Sequence, residues 1–205
     1  MPETQALEDF LRSKLDPVAT GGEVPARGDG DLNGAPSPTG RDLRPAAVLA
    51  PLILHDGAPR FLFTERAAHL SKHAGQISFP GGRIDPGDAT PADAALRELE
   101  EEVGIAPGYV DLLGRFDAYE TATGFSVTPF VGIVRPGYRL RPDPGEVADV
   151  FEAPYDFLMN PANHQRQSLE WQGVRRYFYA MPWQERYIWG ATAGMLKSLH
   201  DRLYG

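Results

Sequence analysis

Apolar positions along the chain follow two spacings, one typical of helices and one typical of strands. Residues 4–15 place apolar side chains three and four positions apart, which predicts a short amphipathic helix. The apolar runs 46–54 and 60–66 are separated by a short Gly/Pro turn, and this pattern predicts a β-hairpin. Further strands are predicted at 76–79, 109–120, 125–134 and 146–154, a hairpin at 168–180, a helical turn at 155–160 and a closing helix at 188–203.

Residues 90–104 carry the most complete set of helix signals. Thr90 can act as the N-cap, Pro91 takes the first helical position, Asp93 can complete a capping box, and Gly104 follows the last turn. Strands and helices together predict an α+β fold, in which a mixed sheet carries at least two helices.

The composition changes between residues 17 and 45, where 11 of 29 residues are Gly or Pro. Such a segment is typical of a linker or an extended arm. It is either a simple linker, or an arm tied onto the domain or onto the second subunit of a homodimer. The 205 residues are therefore divided into an N-terminal helix with a Gly/Pro-rich arm, residues 1–45, and one compact domain, residues 46–205.

Charge and composition exclude several classes of function. The net charge of −8 argues against a broadly basic, nucleic-acid-binding surface, and the absence of cysteine excludes disulfides and thiolate metal sites. The longest apolar run, 46–54, is far shorter than the roughly 20 residues that span a bilayer. The acidic N-terminus does not resemble a signal peptide. We expect a soluble, cytoplasmic protein that binds neither nucleic acid nor membrane.

Acidic side chains cluster unusually on the 90–104 helix. At about 100° per residue, Glu98, Glu101 and Glu102 lie within an arc of about 100° beside the apolar face, whereas Glu100 points to solvent. The C-terminal half of a helix disfavours anions by roughly 0.3–1 kcal/mol each, and neighbouring carboxylates repel one another. Two interpretations remain open at this point: a solvated acidic face, or a site for Mg²⁺ or Mn²⁺, which prefer carboxylate oxygens.

Residues 82–105 resemble the signature of Nudix hydrolases, G-x5-E-x7-R-E-U-x-E-E-x-G-U, where U is aliphatic. Gly82 begins the pattern, and residues 97–105 (RELEEEVGI) complete it without a mismatch. Two departures occur between them, since Asp88 replaces the first Glu and eight residues rather than seven separate it from Arg97. The resemblance implies a Nudix-like mixed β-sheet flanked by helices, an α/β/α sandwich, and hydrolysis of a pyrophosphate bond.

The sequence upstream is similar to an element of coenzyme A pyrophosphatases, L-L-T-x-R-[SA]-x3-R-x3-G-x3-F-P-G-G. It is matched by residues 62–67 (LFTERA), then Gly75, then residues 79–82 (FPGG). Phe63 and Ser71 depart from the pattern, and the missing arginine at 71 puts one expected phosphate contact in doubt. Lys72 would be the substitute for this contact, although its side chain leaves the backbone in a different direction.

The resemblance also implies roles for individual residues. Primary metal ligands would be Glu98 and Glu102, joined by Glu101 and by the carbonyl of Gly82, while Arg97 would orient the carboxylates. The catalytic carboxylates would be Glu101, Glu102 and Glu146, with Glu146 as the candidate general base and a plain surface position as its alternative. Residues expected to hold substrate phosphates are Arg66, His73 and Gln76, although His73 could equally be a packing residue. Tyr119 and Phe125 could stack on adenine, but a packing role is favoured for both.

The substrate implied by this resemblance is coenzyme A or its thioesters, cleaved with Mg²⁺ or Mn²⁺ as cofactor. Coenzyme A is the favoured substrate, and the replacement at Ser71 gives some weight to an alternative, a broader pyrophosphatase for ADP-ribose, NADH or dinucleoside polyphosphates. A non-catalytic nucleotide-binding regulator on the same fold is disfavoured because residues 97–105 keep every carboxylate of the signature.

Overall fold

The computed structural model describes residues 2–19, 26–34, 43–55, 58–70, 74–171 and 173–205. The described α-helices are α1 (Pro2–Lys14), α2 (Pro91–Val103), α3 (Tyr155–Leu158) and α4 (Ala191–Tyr204). The described strands are β1 (Ala26–Gly28), β2 (Arg44–His55), β3 (Ala58–Arg66), β4 (Ile77–Ser78), β5 (Gly81–Arg83), β6 (Val110–Arg115), β7 (Ala118–Glu120), β8 (Phe125–Val134), β9 (Val147–Pro154), β10 (Gln165–Trp171), β11 (Val174–Trp183) and β12 (Arg186–Trp189). Short 3₁₀ turns lie at Pro107–Tyr109 and Pro161–Asn163.

A nine-stranded mixed sheet is organised around β2. This strand pairs in parallel with β8 along almost its whole length, and antiparallel with β3 at one end and with β5 at the other. The opposite edge of β3 pairs with β9, whereas β4 pairs with the last residues of β3 on the same edge as β2. Strand β5 begins three residues after β4 and pairs with β2, so it lies close to the end of β3. A separate antiparallel sheet contains β10, β11 and β12.

Helices cover both faces of the large sheet. Alternate residues of β2 belong to two different apolar clusters, because successive strand side chains point to opposite faces. On one face Leu49 packs with Leu99 and Val103 of α2. On the other, Leu52 belongs to a cluster that contains Leu11 of α1 and residues of α4. The predicted mixed sheet flanked by helices is confirmed.

The described part of the N-terminal region is packed against the domain rather than detached from it. Leu11 of α1 is fully buried, and β1 pairs in parallel with β7. Asp29, just after β1, accepts hydrogen bonds from the Tyr119 hydroxyl at 2.8 Å and from the Ala122 backbone N–H at 2.7 Å. For residues 26–34, the interpretation as a simple linker is therefore wrong and that of an arm tied onto the domain is correct; residues 20–25 and 35–42 lie outside the described residues.

Two sequence-based boundaries need correction, and one strand beside them was missed. The closing helix begins at Ala191 rather than 188, because Ile188 belongs to β12 and Gly190 turns the chain with a φ of 63°. The single strand predicted at 109–120 is divided into β6 and β7. Strand β5 was not predicted, since its Gly-Gly-Arg sequence has little intrinsic strand preference. No described helix is long and apolar enough to span a membrane.

Candidate active site

Helix α2 forms as the local sequence predicts. The Thr90 hydroxyl accepts a hydrogen bond from the Asp93 backbone N–H at 3.2 Å, and Pro91 occupies the first turn. Gly104 ends the helix in the left-handed conformation, with a φ of 76° that favours glycine. The helix packs its apolar face on the sheet and thereby fixes the position of its acidic flank.

Glu102 lies inside the domain, whereas the helical wheel placed it beside the core. Glu102 as a whole is only 6% exposed. Its carboxylate accepts a hydrogen bond from the Thr64 hydroxyl at 3.2 Å and another from the Gly81 backbone N–H. Burial raises the pKa of Glu102 to about 7, and the negative charges of Glu98 and Glu146 act in the same direction. The domain therefore holds a buried carboxyl group close to other carboxylates.

Glu98 lies directly against the glycine-rich strand β5. A Cβ atom added at Gly82 would lie 2.3 Å from the Glu98 carboxylate, so no side chain can be accommodated at this position without a shift. Burial raises the pKa of Glu98, and the charges of Glu101 and Glu146 add to that effect while Arg97 opposes it. The backbone of Gly82 and the Glu98 carboxylate thus lie next to one another, as the sequence-based metal site requires.

Arg97 connects most of the remaining acidic groups. Its Nε and Nη2 donate to the two oxygens of Asp88 at 3.0 and 3.1 Å, a bidentate pair that lowers the pKa of Asp88. Its Nη1 donates to Glu98 at 3.0 Å and to Glu101 at 2.8 Å. Its Nη2 also donates to the carbonyl of Arg83 at 3.1 Å. Arg97 therefore orients carboxylates, and Asp88, the residue that departs from the signature, is its bidentate partner.

Glu101 occupies a different environment from Glu98 and Glu102. Its side chain is 60% exposed, and the contact with Arg97 is an i,i+4 ion pair on the helix surface. The structure therefore brings Glu98 and Glu102 to the buried side of the cluster and leaves Glu101 on its outer flank.

The upstream element approaches the same cluster from β3. Arg66 Nη1 lies 3.6 Å from a carboxylate oxygen of Glu146, and the Arg66 backbone N–H donates to the Gln76 carbonyl at 2.9 Å. The Ala67 backbone N–H donates to the Glu146 carbonyl at 2.8 Å. Arg66 and Gln76, predicted from the upstream element, therefore lie together with Glu146, predicted from a distant part of the sequence. His73 lies outside the described residues, as do Ser71 and Lys72.

The two candidate stacking rings differ in their surroundings. Tyr119 is 5% exposed and donates to Asp29, so it is a core residue and its face is not available to a base. Phe125 is half-buried, and the guanidinium carbon of Arg44 lies 4.0 Å from its ring centroid. Sequence reasoning did not identify Thr64 as a partner of Glu102, although the threonine belongs to the matched LFTERA segment.

Comparison with known proteins decides the family. Residues 43–172 match the NUDIX domain family. The chain is a Nudix hydrolase. It is 40% identical over 156 residues to the Nudix hydrolase NudL of Pectobacterium atrosepticum and 38% identical to NudL of Escherichia coli K12, in each case covering 76% of this chain and 81% of the relative. Among solved structures, the Nudix hydrolase RenU of M. smegmatis aligns with a TM-score of 0.47 at 22% identity, over 55% of this chain and 71% of that one.

Membership of the family establishes the reaction class, which is hydrolysis of pyrophosphate bonds in small nucleotide substrates. Nudix hydrolases generally use divalent ions such as Mg²⁺ or Mn²⁺. Among the described residues no three Asp, Glu or His side chains already converge as a set of metal ligands, and Arg97 holds two of the candidate carboxylates. The residues present nevertheless fit a hard cation, because the Glu98 and Glu102 carboxylates repel one another and Glu98 lies against the backbone of Gly82. Carboxylate and backbone carbonyl oxygens are the ligands that such a cation prefers.

Proposed function

We propose that this Nudix hydrolase cleaves the pyrophosphate bond of coenzyme A or its thioesters, giving 3′-phosphoadenosine 5′-phosphate and 4′-phosphopantetheine or its acyl form. The observation that carries the proposal is the element from Leu62 to Gly82, which resembles that of coenzyme A pyrophosphatases. In the structure this element supplies Thr64 to Glu102, Arg66 beside Glu146, and the glycine backbone beside Glu98.

The carboxylates have distinct parts in this reaction. Glu98 and Glu102 would hold a Mg²⁺ or Mn²⁺ ion with the carbonyl of Gly82, and Glu101 would join them directly or through water. The ion supplies charge neutralisation on the pyrophosphate and a more acidic bound water. Arg97 keeps Glu98 and Glu101 in position through the contacts described above.

Arg66 and Gln76 would bind the substrate phosphates, together with His73. Glu146 would accept the proton of the attacking water. Its carboxylate is about half exposed and lies beside Arg66, so it can reach a substrate held by that arginine. The electrostatic interaction of Glu146 with Glu98 and Glu102 supports this role, because the attacking water would lie near the metal ligands.

The decisive experiment compares turnover of coenzyme A and of ADP-ribose by the full chain with Mg²⁺ and with Mn²⁺. We expect metal-dependent release of 4′-phosphopantetheine, identified by mass spectrometry, and a higher kcat/KM for coenzyme A. Glu98→Gln should abolish most of this turnover, while Glu100→Gln, on the exposed side of the same helix, should leave it unchanged. Rapid hydrolysis of ADP-ribose without cleavage of coenzyme A would overturn the proposal in favour of the broader pyrophosphatase.

A further inference from the structure

Two arginines and one aromatic ring form a cluster at the end of the large sheet. The guanidinium carbon of Arg44 lies 4.0 Å from the ring centroid of Phe125, and that of Arg83 lies 5.8 Å from the same centroid. Arg44 is opposite Phe125 in the β2–β8 pair, and Arg83 is opposite Ala46, two residues along β2. Since side chains alternate along strands, all three project from one face of the sheet.

Neither guanidinium is neutralised by the described protein. Arg44 and Arg83 are both exposed, and neither forms a salt bridge with a carboxylate in the described part of the chain. The protein is acidic, and several other arginines, including Arg97, Arg186 and Arg202, each contact two or more carboxylates. Two adjacent cations without a carboxylate favour an anion from outside the described chain.

The cluster is also held in position. Arg44 Nη2 donates to the Thr123 carbonyl at 3.0 Å, and the planar guanidinium stacks on Phe125, which restricts its orientation. A guanidinium has five N–H donors, so this single bond leaves donors of Arg44 for a ligand. An arginine with restricted motion loses less conformational freedom when it binds a phosphate.

Its location relates it to the candidate active site. Arg83 follows Gly82 directly, and consecutive Cα atoms are only about 3.8 Å apart. The Arg83 carbonyl accepts a hydrogen bond from Arg97, the residue that holds Glu98 and Glu101. The side chain of Arg83 leaves β5 on the face opposite Gly82, where the strand ends. The two arginines therefore lie next to the candidate active site at the end of β5, and a nucleotide that contacts both the carboxylates and the arginines must pass around this strand end.

We propose that Arg44 and Arg83, supported by Phe125, bind a phosphate monoester of the substrate that lies outside the scissile pyrophosphate. This inference rests on the proposed function, under which that group is the ribose 3′-phosphate of coenzyme A. The two guanidiniums donate charge-assisted hydrogen bonds to its oxygens. The cluster thus distinguishes coenzyme A from nucleotides that carry phosphate only in the pyrophosphate.

The test compares coenzyme A with 3′-dephospho-coenzyme A as substrates for the full chain. Arg44→Gln and Arg83→Gln should each lower kcat/KM for coenzyme A by about tenfold, mostly through KM, because each removes charge-assisted hydrogen bonds. The same variants should change kcat/KM for 3′-dephospho-coenzyme A by less than about threefold. Arg175→Gln, an exposed arginine on β11, is the matched control and should alter neither value. Equal losses on both substrates would overturn the assignment.

A binding measurement separates this inference from the proposed function. Calorimetry with the full chain should show tighter binding of 3′-phosphoadenosine 5′-phosphate than of adenosine 5′-phosphate, and Arg44→Gln should remove the difference. Equal affinity of the parent for both nucleotides would overturn the inference, whether or not coenzyme A is hydrolysed. If the parent shows the difference but cleaves no coenzyme A, the binding site stands and the proposed function fails. Arg44→Lys and Arg83→Lys keep the charge. An affinity of these variants for 3′-phosphoadenosine 5′-phosphate between that of the parent and that of the glutamine variants therefore excludes misfolding as the cause.

Discussion

Replacing Glu102 with glutamine should stabilise the metal-free protein while abolishing its activity. Burial raises the pKa of this carboxyl from an ordinary value of 4.5 to about 7. One pKa unit corresponds to about 1.4 kcal/mol, so keeping Glu102 ionised in the folded state costs roughly 3 kcal/mol at high pH. Glutamine has nearly the same shape and keeps a carbonyl oxygen that can accept from Thr64 and from the Gly81 N–H. It therefore removes the cost of the charge without creating a cavity.

The sign of this effect depends on pH. A raised carboxyl pKa favours the folded state below the unfolded value of 4.5, and this stability is lost as pH rises towards 7. Urea unfolding in EDTA should thus show Glu102→Gln more stable than the parent by less than about 1 kcal/mol at pH 5 and by about 3 kcal/mol at pH 8.5. Glu100→Gln, exposed on the same helix, should show no such trend. A stability difference that stays constant between these two pH values would refute the argument from burial.

Bound metal should reverse the difference in stability between the parent and the Glu102→Gln variant. An ion bound by Glu98 and Glu102 stabilises the folded state according to its concentration and affinity, and it requires the ionised carboxylate. Added Mg²⁺ or Mn²⁺ should therefore raise the Tm of the parent and lower the apparent pKa of Glu102. The glutamine variant should show a much smaller rise in Tm and almost no turnover. An unchanged metal response in this variant would contradict the assignment of Glu102 as a ligand.

Three further substitutions test other parts of the structure. Arg97→Lys keeps one charge but loses the bidentate pair with Asp88, so kcat should fall by about tenfold or more and the metal concentration for half-activity should rise. Gly82→Ala introduces a Cβ atom 2.3 Å from the Glu98 carboxylate, so most turnover should be lost while circular dichroism shows the fold retained. Leu11→Ala should lower the free energy of unfolding in urea by about 2–5 kcal/mol, since this residue is fully buried. Its kcat at low temperature should be normal, because Leu11 is remote from the carboxylates. Loss of activity without loss of stability would contradict a purely structural role of Leu11.

The sequence predicted α2 well because its signals are local. The cap at Thr90, the proline at the first turn and the glycine after the last turn each act within a few residues, and all three appear in the structure. The burial of Glu102 could not be read from the helical wheel, because it depends on how segments distant in sequence, such as β5 and the chain at Asp143, pack around the end of the helix. The hydrogen bond from Thr64 to Glu102 joins residues 38 positions apart in sequence, so no local sequence pattern predicts it.

Pairings between distant segments explain the remaining differences. Strand β1 forms because it pairs with an edge of β7. Strand β5 forms because it pairs with the part of β2 that extends beyond β3. Residues 26–28 and 81–83 have sequences rich in glycine and arginine, which carry little strand preference of their own. The resemblance to Nudix hydrolases supplied what local patterns lacked, since it placed Glu98, Arg97 and Gly82 in one site before the strands around them were known.

Strand β1 has a consequence for solubility as well as for packing. It covers one edge of β7, whose other edge is paired with β8. An uncovered strand edge presents free N–H and C=O groups on which a strand from another molecule can pair, and such edges promote aggregation. The Asp29 carboxylate accepts hydrogen bonds from Tyr119 and Ala122, and together with the backbone pairing of β1 with β7 it holds the covering strand in place. Chains shortened past this aspartate would therefore be expected to self-associate, even where their active site is intact.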